Sequence, residues 1–159
     1  MIRIGQGIDV HRFDESRPLV LGGVRVSENG GLTGHSDADA VLHAITDALL
    51  GAVGAGDIGQ YFPSSDERWK GADSAQFVRQ ALAAVRERDG EIQNIDVTVI
   101  AEKPRLAEFR EAMQTSIAKL LDIHTGQVNV KATTTDHLGF IGRGEGICAM
   151  AIVSVHLGS

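Results

Sequence analysis

Asp9 and His11 stand two residues apart in the run Gly7-Ile8-Asp9-Val10-His11. On an extended chain, residues two apart point to the same side, so both side chains can reach one point. A carboxylate and an imidazole are good zinc donors, but two ligands do not make a site. Taken alone, the pair suits a hydrogen-bonded strand end better. The segment from Gly34 to His43, GHSDADAVLH, changes that balance. His43 lies one helical turn after Asp39 and one before Asp47, so either carboxylate can neighbour the imidazole and orient it from behind. His35, Asp37 and Asp39 crowd a helix start. Acids there suit the macrodipole, and the same place binds phosphate.

Two further stretches carry phosphate chemistry. Gly56-Asp57-Ile58-Gly59-Gln60-Tyr61-Phe62-Pro63-Ser64-Ser65-Asp66 is a turn-rich loop of a length at which loops tend to be functional; the plainer reading is a surface loop pinned by Phe62. In Lys131-Ala132-Thr133-Thr134-Thr135-Asp136, three successive threonines leaving a strand offer hydroxyls and amides to phosphate oxygens. The glycines of Gly142-Arg143-Gly144-Glu145-Gly146 turn the backbone sharply and free the Arg143 guanidinium for bidentate phosphate contact. By itself this segment reads better as a glycine-rich hairpin with a surface arginine. It is no Walker loop, which needs Gly-Lys-Ser/Thr.

These residues need a scaffold. Residues 2–10 alternate loosely and predict a strand. Leu19 to Val26, with Gly22-Gly23 at its centre, predicts a hairpin. Asp37 to Val53 predicts the clearest helix, capped by Ser36 or Asp37 and ended by Gly54 and Gly56. Helices also follow over Ser74–Arg88 and Leu106–Leu121, and strands over Ile95–Ala101, Val128–Thr133 and Ile147–Leu157. This mixture lacks the strict alternation of a doubly wound fold. It predicts an α+β domain over residues 1–159: a four-stranded mixed sheet with helices on one face. The other face is left apolar, for another subunit to cover.

Composition narrows the partners. The net charge of −6 comes with no Lys/Arg cluster, which argues against nucleic acid. The single cysteine, Cys148, excludes an intrachain disulfide and reads as a buried, inert thiol. No apolar stretch reaches the ~20 residues of a membrane span. The N-terminal MIRIGQGIDV is not patterned as a signal peptide, so a cytoplasmic protein is expected.

Together the segments resemble the 2-C-methyl-D-erythritol 2,4-cyclodiphosphate synthase family. The matching elements are GIDVH at Gly7, GHSD at Gly34, His43 with Asp47-Ala48-Leu49-Leu50-Gly51, GDIG at Gly56, Phe62-Pro63, GADS at Gly71, KATTT at Lys131 and GRGEG at Gly142. The resemblance covers nearly the whole chain, and the length suits the single-function form. It implies a homotrimer around an axis on the apolar sheet face, with active sites between subunits. It implies zinc on Asp9, His11 and His43, and transition-state stabilisation by His35 and Thr134. Substrate contacts implied are Ser36, Asp57, Ile58, Gly59, Phe62 and Asp66. Cytidine and its phosphates fall to Ala101, Lys103, Pro104, Arg105, Leu106, Ala107, Ala132, Thr133 and Thr135, with Phe140 and Arg143 as further contacts. It also implies an isoprenoid diphosphate in a cavity on the threefold axis.

Two positions depart from the family. Asp136 stands where the family often has Glu reaching a second metal, magnesium or manganese; the shorter side chain favours water-mediated contact. Ser64 stands where an Asp is common in the mobile loop. The implied reaction closes a cyclic diphosphate from a cytidine diphosphate substrate and releases CMP. Its competitors are a zinc phosphoesterase using metal-bound water and an isoprenoid-diphosphate-binding trimer with structural zinc.

Overall fold

The computed structural model describes residues 1–158. Strand β1 (Ile2–Asp14) is followed by the short strands β2 (Leu19–Leu21), β3 (Val24–Ser27) and β4 (Gly31–Leu32). Helices α1 (Ala40–Ala52), α2 (Ile58–Tyr61) and α3 (Ala75–Arg86) come next. After them run β5 (Gly90–Ile100), α4 (Arg110–Leu121), β6 (Val128–Thr133), α5 (Gly139–Gly142) and β7 (Gly146–Leu157). The main sheet has the order β4-β1-β7-β5-β6. Its four long strands are those the sequence predicts. The fifth is a two-residue edge strand paired at Phe13 and Asp14. Only β5 and β6 are parallel; β7 runs antiparallel to both its neighbours. The C-terminal ends of β1, β5 and β6 therefore share one edge of the sheet. Hairpin β2–β3 stands apart from this sheet, its two glycines in the left-handed region that such a turn requires.

Helix α1 is buried nearly all round, with Val41, Leu42, Ala44, Ile45, Ala48, Leu49 and Ala52 enclosed. A helix apolar on every side belongs in the middle of a core, and α1 lies directly on β1 and β7. What lets it sit so close is the absence of side chains below it. A Cβ on Gly7 would fall 1.9 Å from the Ala44 carbonyl oxygen, and one on Gly5 only 1.8 Å from that of Ala48. Helix α3 is amphipathic, burying Phe77, Val78, Ala81, Leu82 and Val85 beside α1. Met113, Ile117 and Leu121 anchor α4 on the same side.

Among the described residues, the opposite sheet face carries no helix. Ile2, Ile4, Ile8, Val10 and Ile152 lie there, each about half exposed. Among the described residues, no helix is long and apolar enough to cross a membrane. Cys148 is buried as expected, and burial pushes its thiol pKa up, away from reactivity.

Two local expectations are corrected. Neither Ser36 nor Asp37 caps α1; Asp39 does, accepting the Leu42 amide at 3.0 Å. Ala38 holds a left-handed φ of 59°, which delays the helix start. Meanwhile the Ser36 hydroxyl and the Asp37 carboxylate bind amides two residues on and hold the loop. The 56–66 segment, read as loop, contains the short helix α2, capped by Asp57.

Candidate active site

Asp9 and His11 project from the same face of β1 toward the N-terminal end of α1, where His43 occupies the first turn. Their donor atoms converge within 4.8 Å of one another. Asp9 Oδ2 lies 2.6 Å from His11 Nε2 and 3.0 Å from His43 Nδ1, and the two nitrogens are 3.4 Å apart. Ligands at zinc bond lengths of 2.0–2.1 Å on a tetrahedron stand about 3.3 Å apart. The observed separations of 2.6–3.4 Å are close to this, so two nitrogens and one carboxylate oxygen could together hold a divalent metal. His11 Nδ1 is fixed by the Thr33 carbonyl at 2.7 Å, which leaves Nε2 for the metal.

Protons on the two rings hydrogen-bond Asp9 at the positions a divalent metal would take. Burial alone would raise the Asp9 carboxyl, but hydrogen bonds and charge from His11 and His43 outweigh it and hold Asp9 below the usual carboxylate range. For His11, burial favours the neutral ring; the Asp9 contact overrides it and raises the imidazole.

Beside this triad lies a cavity of about 260 Å³ lined by His11, His35, Ser36, His43, Ile58, Gly59, Phe62, Ser64, Trp69 and Phe77. The structure therefore gathers one group of expected site residues around the triad. His35 Nε2 donates to the Asp66 carbonyl at 3.1 Å, tying the imidazole to the following loop. Phe62 and Phe77 pack at 4.4 Å between ring centres, and Trp69 meets Phe62 edge-on at 4.8 Å. They wall the cavity with apolar surface. The Trp69 indole nitrogen is buried without a protein acceptor. Asp66 turns its carboxylate onto Arg68, at 2.6 and 2.9 Å, and away from the cavity.

A second group gathers at the ends of β5 and β6. Ala101, Pro104, Arg105, Leu106, Ala107, Ala132, Thr133 and Thr134 line a cavity of about 220 Å³. Lys103 and Arg143 face a neighbouring hollow of about 580 Å³. Thr135 and the exposed Asp136 lie on the turn leaving β6, as does His137. Glu102 accepts the Thr135 amide and hydroxyl and the His137 amide, each near 3.1 Å, and so clamps this turn to the end of β5. Arg143 spends its guanidinium on Glu145, with both contacts at 2.9 Å. Phe140 is exposed on α5.

Among the described residues, none of these three cavities is lined by both groups. β1 and β6 are separated by β7 and β5, three interstrand spacings or about 14 Å. The single chain presents two separate groups of expected site residues.

The groups behind His43 are not the carboxylates that helical spacing predicts. Asp39 turns away to the Gly22, Gly23 and Leu42 amides, and Asp47 binds the Ile58 amide at 2.8 Å. The partner of His43 Nε2 is Ser74 Oγ, at 2.8 Å. A serine opening a helix gives no signal beyond a capping residue, so nothing local could have found it.

The chain matches the YgbB family over residues 2–156. A relative from Geobacillus kaustophilus (strain HTA426), named 2-C-methyl-D-erythritol 2,4-cyclodiphosphate synthase, is 56% identical over 153 residues, 96% of this chain and 97% of the relative. The bifunctional IspDF from Campylobacter jejuni superposes with a TM-score of 0.96 at 46% identity; all of this chain aligns, to 43% of that longer protein. The CDP complex of IspF from Plasmodium falciparum gives a TM-score of 0.87 at 36% identity, over 99% of this chain and 97% of that one.

Proposed function

This chain belongs to the YgbB family, and we propose that it works as a zinc-templated cyclase in which Asp9, His11 and His43 hold the metal. It cyclises 4-diphosphocytidyl-2-C-methyl-D-erythritol 2-phosphate to 2-C-methyl-D-erythritol 2,4-cyclodiphosphate with release of CMP, in non-mevalonate isoprenoid biosynthesis. An oxygen of the 2-phosphate bonds to the β-phosphorus as the bond from that phosphorus to the α-phosphate oxygen breaks, and the electron pair leaves with CMP. The nucleophile is already ionised, so no side chain need act as a base.

The convergence of the three donor atoms carries this reading. Asp9, His11 and His43 would hold the zinc, which would supply Lewis-acid polarisation of a phosphate, and Asp136 would hold a second divalent cation (magnesium or manganese), which would offset charge on the leaving nucleotide. The residues do the rest. His35, tethered through the Asp66 carbonyl, and the Thr134 hydroxyl donate hydrogen bonds where charge develops. Asp57 and Gly59 at the start of α2 hold the erythritol part, with Ser36, Ile58 and Phe62 around it. Alignment alone contributes heavily, because well-oriented intramolecular reactions reach effective molarities of about 10⁵ M or more. The aromatic wall of Phe62, Trp69 and Phe77 excludes water, which would otherwise attack the same phosphorus.

Ala101 to Ala107 and Ala132 to Thr135 take the cytidine and its phosphates. About 14 Å of sheet separates them from the triad, which supports sites shared between chains: the triad half of one subunit faces the nucleotide half of its neighbour. The uncovered apolar face of β1 and β7 supports a homotrimer packed through that face. Phe140 and, on release from Glu145, Arg143 would offer the apolar and cationic groups that an isoprenoid diphosphate on the axis requires.

His43→Ala tests the zinc assignment through bound zinc and CMP release. Both should fall to background. Full activity without zinc would overturn the assignment, and a linear bisphosphate product in place of the cyclic one would point to a phosphoesterase.

A further inference from the structure

Asp37 and the Gly71-Ala72-Asp73-Ser74 run take no part in the chemistry above, yet they meet directly behind His43. Their loops are joined by backbone hydrogen bonds from Asp37 to the Ala72 carbonyl at 3.0 Å and from Gly71 to the His35 carbonyl at 2.7 Å. Ser74 is completely buried, and its hydroxyl sits 2.8 Å from His43 Nε2. The Asp37 carboxylate accepts both the Ser74 hydroxyl and, at 3.0 Å, the Ser74 amide. Ser36 Oγ is a more distant neighbour of the same nitrogen, at 3.2 Å.

The proton directions follow from chemistry. An ionised carboxylate only accepts, so the Ser74 hydroxyl donates to Asp37 and has only its lone pairs left for His43. His43 Nε2 must then be the donor and carry the proton. A neutral imidazole protonated on Nε2 has its free lone pair on Nδ1, the atom aimed at Asp9 and His11. The Phe77 ring, 5.7 Å from that of His43, packs against its flank.

We infer that Ser74, held by Asp37, is a positioning residue for the metal: it fixes the His43 tautomer and ring orientation so that Nδ1 is presented for coordination. The inference rests on the zinc reading. The mechanism differs from the familiar carboxylate–histidine pair in having a buried hydroxyl between the two groups.

The test uses the full chain, stripped of metal. Zn²⁺ affinity is measured by competition with a chromophoric chelator, and the Co²⁺-loaded protein is read by its visible spectrum. Loss of such a partner typically weakens metal binding roughly 10- to 100-fold, and that is the effect expected for Ser74→Ala, with displaced cobalt bands. Asp37→Asn keeps an acceptor oxygen but loses its charge, so about a three- to tenfold loss is expected. A purely structural role would lower the unfolding midpoint in chelator and leave affinity and spectrum unchanged. Wild-type affinity and spectrum in Ser74→Ala would overturn the inference. Should that variant not fold, the same result in Asp37→Asn would do so. His43→Ala is the control: if it still binds zinc normally, it is the metal assignment that fails.

Discussion

Replacing Gly7 with alanine should damage both the fold and the metal site, because one contact governs both. The new methyl would lie 1.9 Å from the Ala44 carbonyl oxygen and 2.8 Å from its carbon, both atoms of helix backbone that no rotamer change can move. Ordinary contact begins near 3.4 Å, so α1 must rise from β1 by about 1.5 Å. Ala44 is the residue after His43, and Gly7 is two before Asp9, so the displacement falls on the triad itself. Metal–ligand distances tolerate about ±0.2 Å. Overpacking usually costs about 1–3 kcal/mol, and a rigid backbone contact should cost at least the upper figure. Urea unfolding in excess chelator should show that loss, and zinc affinity should fall at least ~100-fold. Gly51→Ala is the control on the same helix. Its added Cβ meets nothing closer than 3.9 Å, so it should be neutral or stabilising by up to about 1 kcal/mol. A Gly7→Ala protein with normal stability and normal zinc affinity would refute the claim that a bare strand seats α1 and aligns His43.

Asp39 gives a pH signature. Burial pushes its carboxyl up to about 6 from an ordinary 3.8, despite three amide donors. A raised folded-state pKa means the fold holds the proton more tightly, so stability falls as pH rises from about 4 to 6, by roughly 3 kcal/mol. In chelator, the stability of wild type minus that of Asp39→Asn should decrease by about that amount between pH 4 and 7; a constant difference would contradict it. Ile4→Lys combined with Ile152→Lys should yield monomers by light scattering and remove CMP release, although each chain keeps both groups of site residues. A fully active monomer would dismiss the shared-site arrangement.

Much of this architecture is legible in local sequence. The strand over 128–133 is found where its β-branched pattern puts it, and β7 departs by a single residue at its start. β5 begins at Gly90, five residues before the expected Ile95, because a bulge between Ile92 and Asn94 breaks the period-two signal. Strand alternation made the pairing of Asp9 with His11 readable, whereas His43 joins them as a ligand only through the family resemblance. The groups behind His43 were not readable. Helical spacing brings Asp39 and Asp47 near the ring, but spacing cannot say that their carboxylates are claimed by the hairpin amides and by Ile58. Ser74, 31 residues away, reaches His43 only through tertiary packing.

One strand has to serve two surfaces. The odd-numbered residues of β1 face the helices: Gly5 and Gly7 admit α1, and Asp9 and His11 supply metal donors. The even-numbered Ile2, Ile4, Ile8 and Val10 form the exposed apolar face that supports assembly. Because side chains alternate with a period of two, a one-residue slip against β7 would exchange these roles completely. It would drive isoleucines into the Ala44–Ala52 stretch of helix and strand the metal donors on the assembly face. Pairing with β7 over eleven residues, from Ile2 to Arg12, resists such a slip, as does the backbone-close seat under α1. The glycines that look like weak points in a strand are thus what separate the triad face from the exposed apolar face, and a variant that fills them should lose the site before it loses the sheet.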